Sequence, residues 1–288
     1  MTSLLERAGA YGRMIRFSHS VFALPFALTS AALAAQGGAA TGGHVFWIVV
    51  AMVAARSAAM GFNRLVDQAI DAKSPRTASR ELPRGIVSRG EAWLFVALSV
   101  AVFVLAAAML NPLCLALTPV ALAIVLGYSY TKRFTAASHL VLGLALAVAP
   151  VGAWLAIRGR FDLVPVVLGL AVLLWVAGFD TLYACQDVEF DRLEGLRSLP
   201  AAVGVPRALR LARLMHAGTV LLLLSLFGLA PLHPVYLAGV AAVAVILAWE
   251  HSLVGPHDLS RVMQAFNLNG WVSLGYFAVT ATASWLRQ

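Results

Sequence analysis

The fold class is decided by the segment at residues 163–186, which reads LVPVVLGLAVLLWVAGFDTLYACQ. It is long and apolar enough to cross a bilayer, which takes about 20 residues of α-helix. Its apolar residues run continuously without alternating with polar ones, which excludes a transmembrane β-strand. Eight similar stretches lie at about 17–36, 45–66, 92–110, 113–130, 138–157, 208–229, 233–249 and 265–286. Because only helices or closed barrels cross lipid, the sequence predicts an all-α integral membrane bundle of about nine transmembrane helices.

The composition agrees with a surface that faces lipid. Of the 288 residues, 61% are hydrophobic and 12% are charged, whereas a soluble domain carries about 25% charged residues. This excludes an ordinary globular enzyme, a disordered chain and, despite a pI near 10.2, a DNA-binding domain, so nucleic acid is not an expected partner. Few residues remain outside the helices, and we expect a single transmembrane domain over residues 1–288.

The distribution of Lys and Arg predicts the orientation in the membrane. With the N-terminus in the cytoplasm, sixteen of the 21 basic residues fall on the cytoplasmic side, as the positive-inside rule requires. Nine helices then place the C-terminus outside. The two long loops after helices 2 and 6, Asp71–Glu91 and Asp187–Pro206, are predicted to face the cytoplasm, and both are rich in Arg.

A first group of polar residues lies at the end of the second predicted helix. Asn63, Asp67 and Asp71 are spaced i, i+4 and i+8. An α-helix rotates by about 100° per residue, so residues four apart differ in direction by only about 40°. The three side chains therefore form a ladder on one helix face. We call this set the first ladder.

A second group, Asp180, Asp187 and Asp191, lies at the end of the sixth predicted helix with the spacing i, i+7 and i+11. If the helix persists that far, the three carboxylates of this second ladder lie within about 40° of one another and Glu189 points away. Asp180 follows an apolar run and is predicted to lie within the membrane boundary, where an ionisable side chain is by default a functional candidate.

Both ladders require positive charge. They lie at C-terminal helix ends, where the macrodipole is negative, and the carboxylates within each ladder repel one another. Oxygen ligands without Cys or paired His select a hard ion such as Mg²⁺, which shares its coordination sites between carboxylates, waters and substrate phosphates. The predicted Mg²⁺ ligands are Asn63, Asp67, Asp71, Asp187 and Asp191. The alternative is that these acids are solvated interface residues paired with neighbouring Arg.

Basic residues on the same side of the membrane complete the predicted site. A cavity that combines carboxylate-bound Mg²⁺ with Arg and Lys side chains suits a diphosphate. The candidate diphosphate ligands are Arg76, Arg80, Lys132, Arg133 and Arg197. For any one of them, a place in the general positive-inside pattern is the alternative.

These motifs resemble those of the UbiA superfamily of membrane prenyltransferases. Residues 63–71 match its Asn-x-x-x-Asp-x-x-x-Asp motif on the second helix, and residues 180–191 match its second acidic motif. Residues 75–85 resemble the basic loop of the family, and residues 128–133 resemble the segment that follows its fourth helix. The resemblance covers essentially the full length, and the chain is similar in particular to the bacterial 4-hydroxybenzoate polyprenyltransferase branch.

The resemblance implies a Mg²⁺-dependent transfer of a polyprenyl group from polyprenyl diphosphate to an aromatic acid such as 4-hydroxybenzoate, in ubiquinone or menaquinone biosynthesis. It also implies a multi-pass protein of the bacterial inner membrane, with its active site facing the cytoplasm. Residues 17–26 and 56–64 resemble a subgroup that prenylates 1,4-dihydroxy-6-naphthoate in the futalosine route to menaquinone. This acceptor is the alternative.

The resemblance also implies roles for individual residues. Asp67 and Asp187 are the expected catalytic metal ligands, and Asp180 is the candidate that orients or deprotonates the hydroxyl group of the acceptor. The other expected acceptor-binding residues are Arg16, for the carboxylate, with His19 and Tyr128. For His19, a structural role on an apolar face is the alternative.

Two other classes of membrane protein agree less well with this pattern. A secondary transporter places its ionisable residues near the bilayer midplane, often in matching halves, whereas these acids cluster at one interface and nine helices do not divide into equal repeats. A structural or assembly subunit would not need two acidic ladders.

Overall fold

The computed structural model describes residues 11, 12, 14, 22–36, 38 and 40–287, which form helices joined by turns and loops. Within these residues, an isolated bridge between Gly255 and Asp258 is the sole β-type pairing. The helices are α1 (Leu24–Ala34), α2 (Gly42–Lys73), α3 (Arg89–Leu110), α4 (Pro112–Thr131), α5 (Ser138–Arg158), α6 (Leu163–Ala184), α7 (Val188–Leu193), α8 (Leu199–Val203), α9 (Val205–Leu229), α10 (Val235–Ser252) and α11 (Val262–Trp285).

Seven segments of the described chain are long and apolar enough to cross a membrane. They are α2, α3, α4, α5, α6 with its continuation to Leu193, α9 and α10. Helix α1 has 11 residues, and α11, although it has 24, is more polar because it contains Gln264, Asn267 and Asn269. The protein is a multi-span membrane protein, as predicted. The count of nine spans, the sides that the loops face and the single domain stay predictions.

Local sequence determines where the helices begin. At α2, the hydroxyl of Thr41 accepts the backbone N–H of His44, and the His44 ring bonds back to the backbone N–H of Thr41. Ser88 and Glu91 form the same reciprocal cap at α3. Each cap satisfies backbone N–H groups that the first turn of a helix leaves without partners. The long loop between the two helices is therefore confined to residues 74–88.

Helix α6 is the central element of the bundle, and its Trp175 is fully buried. Two glycines allow its neighbours to approach closely. A Cβ on Gly143 of α5 would lie 2.3 Å from the carbonyl oxygen of Leu173. A Cβ on Gly178 would lie 2.3 Å from the ring of His216 on α9. Because no side chain fits in either gap, packing on both sides determines the position of α6 and of the acids at its end.

The helix that carries the second ladder is interrupted. Helix α6 ends at Ala184, the 3₁₀ turn Cys185–Asp187 follows, and α7 begins at Val188. The condition under which the three acids share one helical face is therefore not met. The first ladder, in contrast, lies entirely within α2.

Candidate active site

The C-terminal ends of α2, α4 and α6 and the N-terminal end of α5 surround a polar cavity of about 330 Å³. Both ladders line it, although the second is not a continuous helical face. The predicted site residues that line the cavity are Asn63, Asp67, Asp71, Arg76, Arg80, Tyr128, Lys132, Asp180, Asp187 and Asp191. Tertiary packing therefore brings together most of the residues selected from the sequence.

Asp67 is the most heavily paired acid of the first ladder. Its buried carboxylate accepts hydrogen bonds from Lys132 Nζ at 2.6 Å and from Arg133 Nη2 at 2.9 Å. The amide of Asn63, one turn earlier, donates to the same carboxylate at 3.1 Å. Two cations against one carboxylate leave a local excess of positive charge, so this wall of the cavity attracts a further anion such as phosphate.

Asp71, one turn further along α2, is paired with Arg80. The Nη1 atom of Arg80 lies 2.7 Å from both carboxylate oxygens of Asp71. The hydroxyl of Thr77 donates to the backbone oxygen of Asp71 at 3.0 Å. This bond satisfies one of the last carbonyls of the helix. It also turns the following loop back over the helix end, where Arg80 meets the carboxylate.

A bidentate ion pair joins the loop after α2 to the second ladder. Arg76 donates from Nε to Oδ1 of Asp187 at 2.9 Å and from Nη2 to Oδ2 at 2.6 Å. Its Nη1 donates to the hydroxyl of Tyr183 at 3.0 Å. Burial lowers the pKa of Arg76, but the hydrogen bond and the negative charge of Asp187 outweigh burial, and the net pKa is raised. The guanidinium therefore stays charged at the cavity wall, where it is able to bind phosphate oxygens.

Asp180 is paired with a histidine. Its Oδ2 lies 2.6 Å from Nδ1 of His139, which is in the first turn of α5. The other ring nitrogen, Nε2, accepts the backbone N–H of Leu199 at 3.2 Å. The sequence did not mark His139 as a site residue, because it lies 41 residues before Asp180 and belongs to neither acidic ladder.

Four predicted residues are not part of the cavity wall formed by the described residues. Arg133 donates to backbone oxygens of α2 and α4 in addition to the carboxylate of Asp67. Arg197 donates to the carbonyl of Phe134 at 3.1 Å. Arg16 and His19 lie outside the described residues. The predicted contacts of these four residues with substrate stay predictions.

Arg56 received no role from the sequence, yet it lines the polar cavity from within α2. Its Nε is buried and has no hydrogen-bond partner among the described residues. Because this N–H is already buried and has no partner among the described residues, it is able to donate to a carboxylate without first breaking another described hydrogen bond. The signal that could have identified Arg56 is its place inside a transmembrane segment, where charged side chains are rare and usually functional.

An apolar cavity of about 480 Å³ adjoins the polar one. The residues that line both spaces include Arg56, Met60, Tyr128, Leu142 and Leu146. From this junction the apolar cavity follows α4 as far as Cys114, about 21 Å from Tyr128 at 1.5 Å per residue. Its wall includes the exposed side chains of Val120, Leu144 and Leu170, so it opens at the outer surface of the bundle.

The oxygen donors of the polar cavity fit a hard cation. In the described part of the chain, no three His, Cys, Asp or Glu side chains lie close enough together to hold a metal ion. Mg²⁺ keeps several waters and takes one or two carboxylates together with substrate phosphates, so the donor set fits an ion that is bound jointly with a diphosphate. The Arg and Lys pairing considered as the alternative is also present, at Asp67, Asp71 and Asp187.

Comparison with known proteins identifies the family. Residues 23–275 match the UbiA prenyltransferase family. The chain belongs to this family. The resemblance derived from the two acidic motifs is thereby confirmed, and the protein is a prenyltransferase.

This UbiA prenyltransferase is 31% identical over 288 residues to a 4-hydroxybenzoate octaprenyltransferase of Xanthomonas campestris pv. campestris, with 98% of this chain and 94% of the relative covered. It is also similar to the apo structure of a UbiA homolog from Aeropyrum pernix K1, at a TM-score of 0.84 and 36% identity, over 91% of this chain and 96% of that one. A UbiA homolog from Archaeoglobus fulgidus bound to DMAPP and Mg²⁺ has the same fold, at a TM-score of 0.73 and 22% identity, over 94% of this chain and 99% of that one.

Proposed function

We propose that this protein transfers a polyprenyl group from polyprenyl diphosphate to an aromatic acid, with 4-hydroxybenzoate as the first candidate, in quinone biosynthesis. The observation that carries the proposal is the junction between a polar cavity lined by acids and bases and an apolar cavity that opens at the surface of the bundle. A prenyl diphosphate has the same division into a charged head and an apolar chain. The name of the Xanthomonas relative supports the choice of acceptor.

The distribution of basic residues supports a location for the protein. We propose that the protein lies in the bacterial inner membrane with the polar cavity facing the cytoplasm. The Arg-rich segments after α2 and α6 support this orientation, because positively charged loops stay on the cytoplasmic side.

The diphosphate head binds beside Arg76, Arg80 and Lys132, which line one cavity and face its acids. The residues that would hold Mg²⁺ are Asn63, Asp67, Asp71, Asp187 and Asp191. When bound, the ion supplies positive charge that neutralises the leaving diphosphate. The three basic side chains add to this effect, because they stabilise the negative charge that develops on the diphosphate as the allylic carbon–oxygen bond breaks.

The prenyl chain occupies the apolar cavity. Burial of each methylene there contributes about 0.8 kcal/mol, so a chain of several isoprene units is held strongly by this wall alone. A chain longer than the cavity leaves it between the exposed residues Val120, Leu144 and Leu170 and continues into lipid.

The carboxylate of the acceptor binds to Arg56. This residue stands at the junction of the two cavities with its Nε unpartnered among the described residues, and a guanidinium binds a carboxylate through two parallel hydrogen bonds. The same role was predicted from the sequence for Arg16, which lies outside the described residues, and that prediction stays open beside Arg56. Both 4-hydroxybenzoate and 1,4-dihydroxy-6-naphthoate carry a carboxylate, so this contact serves either acceptor.

The reaction breaks one carbon–oxygen bond and forms one carbon–carbon bond. The electron pair of the broken bond leaves with the diphosphate, and the allylic carbon accepts an electron pair from the ring carbon next to the hydroxyl group. Asp180, which lines the cavity, accepts the hydroxyl proton and so raises the electron density of the ring. Loss of the proton from the attacked carbon restores aromaticity, and the prenylated acid and pyrophosphate are the products.

The test is a product assay in membranes that contain the protein, with geranyl diphosphate, Mg²⁺ and the two acceptors offered side by side. We expect a prenylated 4-hydroxybenzoate in the mass spectrum and an equal amount of released pyrophosphate. Prenylation of the naphthoate alone would replace the acceptor within the proposal. Folded protein that prenylates neither acid would contradict the proposal, and a transporter would release no pyrophosphate.

A pair of neighbouring acids provides the control. Asp187→Asn should abolish the product, because it removes the carboxylate that binds Arg76 and faces the cavity. Glu189→Gln changes an exposed acid two residues away, outside the cavity wall formed by the described residues, and should retain activity.

A further inference from the structure

Asp180 differs from three other acids of the cavity in the charge of its partner, whereas a further cavity acid, Asp191, is hydrogen-bonded by the Ser198 hydroxyl. Asp67, Asp71 and Asp187 are bound by Lys or Arg. Asp180 is bound by His139 at 2.6 Å and by no other hydrogen-bond donor among the described residues. Its side chain is 25% exposed and lines the cavity, so among the described residues His139 holds one carboxylate oxygen and the side chain is accessible from the cavity.

The second contact of His139 determines which ring nitrogen carries the proton. The backbone N–H of Leu199 is able only to donate, so Nε2, at 3.2 Å, must accept and carry no hydrogen. A neutral imidazole then has its hydrogen on Nδ1, which points at the Asp180 oxygen. The ring is only 6% exposed, so water does not compete for either nitrogen. Asp180 therefore receives a directed hydrogen bond from a neutral donor.

A neutral donor leaves the carboxylate able to take a proton. An acid bound by Lys or Arg has its lone pairs engaged by a charged hydrogen-bond donor, so they are less available to a substrate hydroxyl. His139 orients Asp180 without that charge. Leu199 is the first residue of α8, so the orientation also depends on the segment between α7 and α8 being folded against α5.

We propose that His139 is a positioning residue that presents Asp180 as the base for the acceptor hydroxyl; this inference rests on the proposed function. Asp180 takes the hydroxyl proton as the ring carbon forms its bond to the allylic carbon and the diphosphate leaves with the electron pair of the broken bond. The proton on the attacked carbon then passes to the diphosphate or to water. Asp180 returns its proton to the product oxygen, so the base is regenerated.

Three substitutions at His139 separate positioning from packing. In His139→Asn the amide nitrogen lies near the position of Nδ1 and keeps the donor, whereas His139→Gln extends its amide towards the position of Nε2 and His139→Leu has no donor. We expect His139→Leu and His139→Gln to lower kcat for prenylation by about 10²-fold. His139→Asn should recover most of that loss, and the KM for the donor should stay within about twofold of wild type, since no described contact joins His139 to the diphosphate-binding bases.

Two further measurements test the base itself. In an Asp180→Asn background, His139→Gln should have little additional effect, because both changes act on one group. With the more acidic acceptor 2-fluoro-4-hydroxybenzoate, the wild-type to His139→Gln ratio of kcat should fall, because less proton transfer is needed. His257→Leu, at an exposed loop histidine, is the control and should leave kcat unchanged.

The outcomes are distinct. Equal kcat values for the His139→Asn and His139→Gln variants would overturn the positioning role. So would a double variant of Asp180→Asn and His139→Gln whose loss of kcat is the product of the two single losses. The Asn and Gln variants decide the matter even where the Leu variant does not fold. Failure of the wild-type enzyme to prenylate either acid is a failure of the proposed function, whereas an active wild type with insensitive His139 variants is a failure of this inference alone.

Discussion

The two acidic ladders have similar patterns in the sequence but are built differently in the structure. The first lies on α2, an uninterrupted helix of 32 residues, and its spacing alone places its three polar side chains on one face. The second begins on α6, crosses the 3₁₀ turn Cys185–Asp187 and ends on α7. Its acids reach the same cavity only because α6 is packed between α5 and α9.

The partners of the two ladders differ as well. Asp67 and Asp71 face three basic side chains, so the first ladder carries an excess of positive charge suited to a diphosphate. In the second ladder, Asp187 is ion-paired, Asp191 is hydrogen-bonded by Ser198, and Asp180 is bound to a neutral ring. We infer a division of roles, in which the first ladder serves mainly the leaving group and the deepest acid of the second serves the acceptor.

The largest effect is expected at the centre of the first ladder. Asp67→Asn leaves Lys132 and Arg133 facing each other without a carboxylate, so we expect kcat/KM to fall by about 10³-fold and the free energy of unfolding to fall by about 3 kcal/mol. Steady-state kinetics and denaturation in detergent measure the two effects, with Glu189→Gln as control. A variant of near-normal activity would show that the first ladder does not serve the leaving group.

Arg56 sharpens the comparison, because it shares α2 with the first ladder but is proposed to serve the acceptor. Arg56→Ala should raise the KM for the acceptor by about 10-fold to 100-fold, the value of hydrogen bonds to a charged group, and leave the KM for the donor unchanged. Arg56→Lys, which keeps the charge without the bidentate geometry, should fall between. A rise in the donor KM instead would move Arg56 to the diphosphate.

Packing of α6 is expected to matter for the second ladder. In Gly143→Ala the new methyl group meets the Leu173 carbonyl, so we expect a loss of about 1–3 kcal/mol in the free energy of unfolding together with lower activity. Gly127→Ala, on α4 with open space around it, should be neutral or slightly stabilising. Equal melting temperatures for the two variants would show that the packing of α6 does not depend on its close approach to Gly143 of α5.

The smallest effect is expected at the surface contact between Lys73, the last residue of α2, and Glu194, which follows α7. Lys73 donates to Glu194 at 2.6 Å, but its side chain is 61% exposed, and exposed pairs contribute about 0–1 kcal/mol. Lys73→Ala should change the melting temperature little and leave kcat/KM within about twofold of wild type. A large loss of activity would mean that this pair, and not the buried pairs, aligns the two ladders.

Much of the fold and part of the site could be predicted from the residues alone. The apolar runs gave the all-helical membrane bundle, because hydropathy over some 20 residues is a local property. The i, i+4, i+8 spacing of the first ladder needed only the helical repeat. The spacing of the second ladder was insufficient, because the 3₁₀ turn after Ala184 changes the rotation per residue.

The sequence by itself determined the lipid-facing helices, the face of the first ladder and the kinds of charge that gather at one end of the bundle. The tertiary structure decided which charges meet. It brought His139 to Asp180 and Arg76 to Asp187, and it set Arg56 at the junction of the polar and apolar cavities. The physical reason is that spacing along a helix sets direction only about that helix, whereas a contact between two helices depends on how closely their side chains allow them to approach.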